Sequence, residues 1–223
     1  MYKRQVYTYK AIGIVQTWEE VANAPYQSDN LAPGDLLMED INGDGMIDSN
    51  DKVAMPNSMR YIPTSDFSIS FNADWKGFDL SMLFQGNAGR KNFWLDNFNN
   101  VNVYTSRYAF QEHHLDTWSP DNRGAKFPRL TSGSNGGFNQ EQSTFWLYSC
   151  DYIRLKNIQL GYRIPSKILK NIGVNSVRIH VSAENLFTIT KWPGLDPEKL
   201  PKSGSEIPYP LMKNYSLGIN ITL

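Results

Sequence analysis

The chain has 223 residues, room for one or two ordinary domains, and its 22 Lys plus Arg balance 22 Asp plus Glu. That neutrality, with no basic run of about five residues, leaves no electrostatic case for nucleic acid as a partner. A single cysteine, Cys150, excludes an internal disulfide and a cysteine-based zinc site, and His113, His114 and His180 are too few and too scattered for a metal cage.

Aromatic residues make up 13% of the chain, and Gly, Asn and Ser are plentiful, a mixture that leans to a β-rich protein with long polar loops. No secretion signal is present, and no apolar run of about 18 residues forms a membrane helix. Met1 to Gln5 (MYKRQ) lead straight into a strand-like YTYKAIGI without a cap or leader. One possible coding sequence for them, GTG TAT AAG AGA CAG, matches the end of a common transposase sequencing adapter, so residues 1–5 are expected to be a non-native start of a fragment.

One further strand is expected around Tyr7 to Ile14. Thr17-x-x-Glu20 predicts a capping box for a short helical turn stopped by Pro25. DINGDGMIDSND then places side-chain oxygens at the first, third, fifth and ninth positions of a calcium loop: Asp40, Asn42, Asp44 and Asp48. Gly45 stands at the sixth position, the Met46 carbonyl at the seventh and Asp51 at the twelfth. Aspartate at the twelfth is shorter than the usual glutamate, and no long helix flanks the loop, so it is no paired calcium sensor. The competing possibility is a rigid Asx/Gly turn that holds no metal.

After Pro63 the pattern becomes strict alternation. Phe67, Ile69, Phe71, Ala73 and Trp75 alternate with Ser68, Ser70, Asn72 and Asp74; past Lys76-Gly77 follow Phe78, Leu80, Met82 and Phe84. This predicts a β-hairpin with a tight glycine turn and arms of roughly 9 to 11 residues, the length of a tilted transmembrane strand. Residues 89–144 show no sustained period. WLYSCDYIRLKNIQLGY alternates with phase slips that predict bulges, IPSKILKNIG is a short apolar-basic turn, and SVRIHVSAENLFTIT and NYSLGINITL are the last strands. Strand edges left open in lipid would be prohibitively costly, so transmembrane strands here imply that the rest of a barrel lies outside this chain.

His113 and His114 are expected to be solvated loop residues, and His180 to face away from the apolar side of its strand. Trp94, Phe98, Tyr104, Tyr108 and Trp118 are placed either to stack on sugar rings or to pack on each other and order a long loop. Two glycosylation sequons, NYS and NIT, lie in the last strand and are chance matches. No catalytic constellation emerges, and no enzyme activity is expected.

GDLLMEDINGDGMIDSNDKV, DWKGFDLSMLFQGNAG, WSPDNRGAKFPRL, YIRLKNIQLGYRIPSKILKNIG, VRIHVSAENLFTITKWPGLDPE and YSLGINITL resemble, in this order, the C-terminal third or less of the SusC/RagA family of TonB-linked outer-membrane transporters. YKAIGIVQTWEEVANAP resembles the segment before the family's acidic loop. The resemblance implies an all-β fold: an antiparallel transmembrane β-barrel of which only C-terminal strands are present, part of a plugged barrel of roughly 22 strands. It also implies active import of oligosaccharides or peptides across the outer membrane of a bacterial cell, a SusD-like surface lipoprotein, and TonB acting through a missing N-terminal part. The family usually ends on an aromatic residue, whereas this chain ends at Leu223.

On that basis 6–62 is expected to be an extracellular loop region carrying the EF-hand-like acidic loop, and 63–223 the barrel strands with long external loops at 89–144 and 191–208. Residues Phe67, Ile69, Phe71, Trp75, Phe78, Leu80, Phe84, Val177, Ile179, Leu217 and Ile219 are the expected lipid-facing set. Calcium, if bound, would be structural. The alternative is a soluble, secreted β-sandwich carbohydrate-binding module with a structural calcium loop, which would bury those residues between two sheets.

Overall fold

The computed structural model of the chain describes residues 6–55, 63–94, 112–131, 133–170, 173–199 and 209–222. The expected non-native start at 1–5, the aromatics Phe98, Tyr104 and Tyr108, residues 200–208 and Leu223 lie outside the described residues. In chain order the strands are β1 (Val6–Thr8), β2 (Ala11–Ile14), β3 (Leu36–Met38), β4 (Val53–Met55), β5 (Ser65–Trp75), β6 (Phe78–Ala88), β7 (Lys91–Phe93), β8 (Leu147–Ser149), β9 (Tyr152–Arg163), β10 (Ser176–Glu184), β11 (Thr188–Thr190) and β12 (Asn214–Thr222). Two short helices, α1 (Trp18–Asn23) and α2 (Ser166–Leu169), interrupt them. The chain divides into two compact units, one drawn from Met1–Met59 and Lys91–Tyr148, the other from Arg60–Arg90, Ser149–Leu200 and Pro208–Leu223.

The first unit is built of short antiparallel pairs, β1 with β4, β2 with β3, and β7 with β8. The single strand expected over Tyr7 to Ile14 is two strands instead. At Tyr9 the backbone turns to a different partner: its N–H donates to the Gln142 carbonyl and its carbonyl accepts from Thr144 N–H. The helical turn forms with Thr17 Oγ1 accepting the Glu20 N–H at 3.2 Å, but the expected capping box is only half met: Glu20 Oε2 accepts the Gln16 N–H at 2.7 Å, one residue before the cap. Val15, Leu36, Met38 and Trp146 are fully buried, and Phe127 stacks on Trp146 with ring centroids 6.1 Å apart. Burial of large aromatic side chains is what lets a unit with so little regular structure hold together.

The second unit contains one antiparallel sheet in the order β12-β10-β9-β6-β5, with β11 also pairing to β9. The β5–β6 hairpin closes on Lys76 (φ 49°) and Gly77 (φ 90°), the two left-handed residues that a two-residue turn of the primed type requires. Between Leu83 and Phe84 the β6–β9 register shifts, which is the phase slip visible between Leu155 and Ile158 in the sequence. Two expected strands are divided. WLYSC does not run on into β9, because β8 pairs with β7. The segment after Glu184 breaks at Asn185 (φ 51°), and β11 returns to pair with the start of β9.

Register aligns the alternation across all five long strands. Phe71, Met82 and Ile158 lie in one row, and Trp75, Phe78, Tyr162, Ile179 and Ile219 in another. Since side chains alternate with period two, this puts every apolar row on one face and Ser70, Ser81, Gln159, Ser182 and Ser216 on the other. Among the described residues of this unit no second sheet covers the apolar face: Trp75 is 68% exposed, Ile219 59% and Leu217 72%.

Candidate functional site

The acidic loop folds by local chemistry. Asp40 accepts the Gly43 and Gly45 N–H groups at 2.7 and 2.8 Å, Asn42 Oδ1 accepts from Asp44 N–H at 2.9 Å, and Asp44 Oδ1 accepts from Met46 N–H at 2.9 Å. These are successive Asx turns, which curl the chain round its own carboxylates. Asp48 caps the 3-10 turn Ser49–Asp51, and Asp51 returns the bond to Asp48 N–H, a reciprocal capping box. Asp51 is fully buried and also accepts the Ile41 N–H at 2.9 Å. The Asp48 N–H, then those of Ile41 and Asn42, hold its carboxyl below the usual carboxylate range against the opposing effect of burial.

Asp40, Asn42, Asp44, Met46 and Asp48 thus sit in one loop, with Asp51 at its base serving the backbone. Among the described residues no three His, Cys, Asp or Glu side chains are gathered as a metal cage. The loop is also tied to its neighbourhood: Tyr26 N–H donates to the Gly45 carbonyl and Ile47 N–H to the Tyr26 carbonyl, both at 2.8 Å.

The polar face of the sheet carries two charged constellations. Arg178 on β10 reaches across β9 to Asp79 on β6, with Nε donating to Oδ1 at 2.9 Å and Nη2 to Oδ2. Gly161, which lies between them in the register, makes the crossing possible: a Cβ there would stand 2.5 Å from Arg178 Nη2 and 2.6 Å from the Asp79 carboxylate. His180 lies in the same row as Gly161 and Asp79, the polar orientation expected of it.

The second constellation holds the segment after β11 against the sheet. Arg154 on β9 donates to Asp196 at 2.7 Å, to Glu198 at 2.9 Å and to Thr188 at 2.7 Å, while Lys156 reaches Glu198 at 2.9 Å. The side chains of Arg154 and Asp196 are only 4% and 3% exposed. Burial pushes the Asp196 carboxyl up, but the Leu211 N–H, the Arg154 guanidinium and the Glu198 N–H outweigh it and hold the pKa below the carboxylate norm. Arg90 adds a bond to the Pro197 carbonyl.

The expected lipid-facing residues, from Phe67, Ile69, Phe71, Trp75, Phe78, Leu80 and Phe84 to Val177, Ile179, Leu217 and Ile219, all fall on the apolar face. The histidine expectation needs correction. His114 is buried on the 3-10 turn Glu112–Asp116, and the His113 and His114 rings approach to 4.1 Å. Trp94 and Trp118 are buried: Trp94 packs on Trp146, Phe127 and His113, and Trp118 donates its indole N–H to Gln16 Oε1 at 2.9 Å. Both sequons lie within β12. The Arg154 and Arg178 ion pairs went unforeseen, although a lone arginine at a polar position of an apolar-alternating strand is the signal that would have found them.

No family model matches the chain. It is 28% identical over 228 residues to TonB-dependent receptor P3 of Formosa agariphila, an alignment covering 96% of this chain and 22% of the relative. It is 29% identical over 198 residues to TonB-dependent receptor SusC of Bacteroides thetaiotaomicron, covering 86% of this chain and 18% of the relative. The chain therefore spans about a fifth of the length of these curated relatives. Its fold matches the RagAB peptide transporter with a TM-score of 0.66 at 22% identity, over 99% of this chain and 23% of that one. A second RagAB structure, in a closed-closed state, gives 0.67 at 21% identity, over 99% of this chain and 23% of that one. Sequence and fold together make this all-β chain a stretch of barrel wall related to the TonB-dependent receptors of the SusC/RagA family.

Proposed function

We propose that this chain is part of the outer-membrane barrel of a TonB-dependent active importer, whose cargo is an oligosaccharide or a peptide and whose partner is a SusD-like surface lipoprotein. The carrying observation is the continuous apolar face over β5, β6, β9, β10 and β12, exposed among the described residues while the opposite face is polar. A soluble protein would lose heavily by exposing that face to water, and a sandwich would bury it. At about 3.3 Å per residue and a tilt of about 45°, the 11 residues of β5 rise about 25 Å, the height of the apolar band of an outer-membrane barrel.

Import as the activity is supported by relatives that bear receptor and transporter names, and peptide cargo by the description of the RagAB structures as a peptide transporter and importer. The proposal contains no catalytic step. A structural calcium ion on the acidic loop belongs to it as well, supported by the oxygen spacing and by the Asx turns that orient Asp40, Asn42 and Asp44. Asp51 contributes least to such an ion, since it is fully buried at the base of the loop, whereas Asn42 and Asp44 are exposed.

Deletion of the full-length gene is expected to abolish TonB-dependent uptake of one class of oligosaccharide or peptide, restored by the intact gene. Recovery of the full-length product as a soluble periplasmic or secreted monomer would overturn the transporter assignment. For calcium, the melting temperature of the wild type is expected to rise with the ion and that of an Asp40→Ala/Asp44→Ala variant to ignore it. Equal response of the two removes the metal.

A further inference from the structure

The first unit holds a polar cleft of about 560 Å³. Its walls come from four separate stretches of chain: Tyr9, Tyr26 with Asp29 and Asn30, Lys52, and Glu141 beside Phe138. The volume lies within the range of small-molecule sites. Backbone bonds set these stretches in place. Tyr9 is bonded to Gln142 and Thr144, and Tyr26 to both sides of the acidic loop through Gly45 and Ile47. Asn139, next to Phe138, is buried and accepts the Leu36 N–H while donating to Asp35.

Three features define what the cleft would take. Tyr26 is 53% exposed, with its hydroxyl donating to Asp29 Oδ1 at 2.9 Å, which fixes the ring's orientation. Tyr9 is buried, with Phe138 edge-on at 5.1 Å and the Lys52 ammonium 4.8 Å from its ring centre. Lys52, Asn30 and Glu141 supply a cationic donor, an amide that both donates and accepts, and an anionic acceptor. A phosphate would meet the Asp29 and Glu141 carboxylates, and a purely apolar ligand would strand all of these groups. A sugar ring offers an apolar C–H face for the tyrosine and a rim of hydroxyls that both donate and accept.

The geometry points to this cleft as a binding site for one saccharide unit of a glycan, with Tyr26 as the stacking platform and Lys52, Asn30 and Glu141 as the hydroxyl partners. The acidic loop is its positioning device, since Gly45 and Ile47 hold the Tyr26 backbone. The assignment stands on the chemistry of the cleft and does not require that import be correct.

The test uses the full-length protein purified in detergent on an immobilised glycan array, with a parallel panel of dipeptides, and calorimetric titration of the best-retained soluble glycan. Wild type is expected to retain at least one glycan. Tyr26→Ala is expected to weaken it about ten-fold, Lys52→Met with Glu141→Gln to weaken it measurably, and Tyr26→Phe to keep most of it. The last two variants guard against misfolding, because each alters a side chain at the cleft surface, and unchanged melting temperatures certify the fold. Retention of no glycan, or equal glycan binding by wild type and variants, overturns the assignment. So does dipeptide binding that these substitutions abolish, which would mark a site for zwitterions. The array needs no energised membrane, so glycan binding without TonB-dependent uptake would overturn the import proposal alone.

Discussion

Arg154 shows how much one side chain can carry. It is buried among Asp196, Glu198 and Thr188, partners 34 to 44 residues away in sequence. Arg154→Ala would leave Asp196 buried and uncompensated, and a loss of about 3–5 kcal/mol in the unfolding of the full-length protein is expected. The pH dependence has a definite sign. Asp196 and Asp51 have pKa values below those of an unfolded aspartate, so their stabilising contribution is present above about pH 4 and is lost as pH falls through the lower folded values. Melting temperatures between pH 7 and pH 3 should therefore fall, and Asp196→Asn should flatten part of that fall. Gly161→Ala probes the other ion pair: the added Cβ must displace Arg178 or Asp79, at an expected cost of about 1–3 kcal/mol by denaturant unfolding.

At the scale of elements, the hairpin and the acidic loop were legible because both are local. Lys76-Gly77 sits between two alternating runs, and only a two-residue turn with left-handed backbone joins them without breaking phase. Gly77→Ala should cost about 1–2 kcal/mol, since an L-residue there is strained and its Cβ would lie 3.1 Å from the Arg163 carbonyl; slower folding of the hairpin in refolding assays is the expected signature. The failures were of a different kind. Tyr7 to Ile14 alternates acceptably as one strand, yet Tyr9 finds its backbone partners at Gln142 and Thr144. WLYSC continues the alternation of β9 and still pairs elsewhere, with β7. Periodicity records which side chains share a face and says nothing of which strand lies alongside.

For the whole molecule the decisive quantity is the free energy of the uncovered apolar face. Ile219→Lys, placed centrally in β12, should oppose folding into a bilayer by about 2–4 kcal/mol, whereas Ser216→Lys on the polar face should be tolerated. Refolding of the full-length protein from denaturant into lipid vesicles measures both, and equal penalties would argue against lipid on the apolar side. The tall sheet also sets the stage for the charged residues, because the same register that assembles Trp75, Phe78, Tyr162, Ile179 and Ile219 into one apolar row puts Asp79 and His180 together on the other face.

The amino-acid sequence by itself determined the two-faced strands, the glycine turn, the capped helical turn and the self-bonded acidic loop, because each depends on neighbours within a few residues and on a period of two. Tertiary structure alone decided that the described residues of 6–55 and 91–148 share one unit, that Trp94, Trp118 and His114 are packing residues, and that Tyr9, Tyr26, Lys52 and Glu141 border a common cleft. The reason is physical. Contacts such as Asn139 with Asp35 or Arg154 with Asp196 join groups far apart along the chain, and their energy depends on burial and distance, which appear only when the chain has folded.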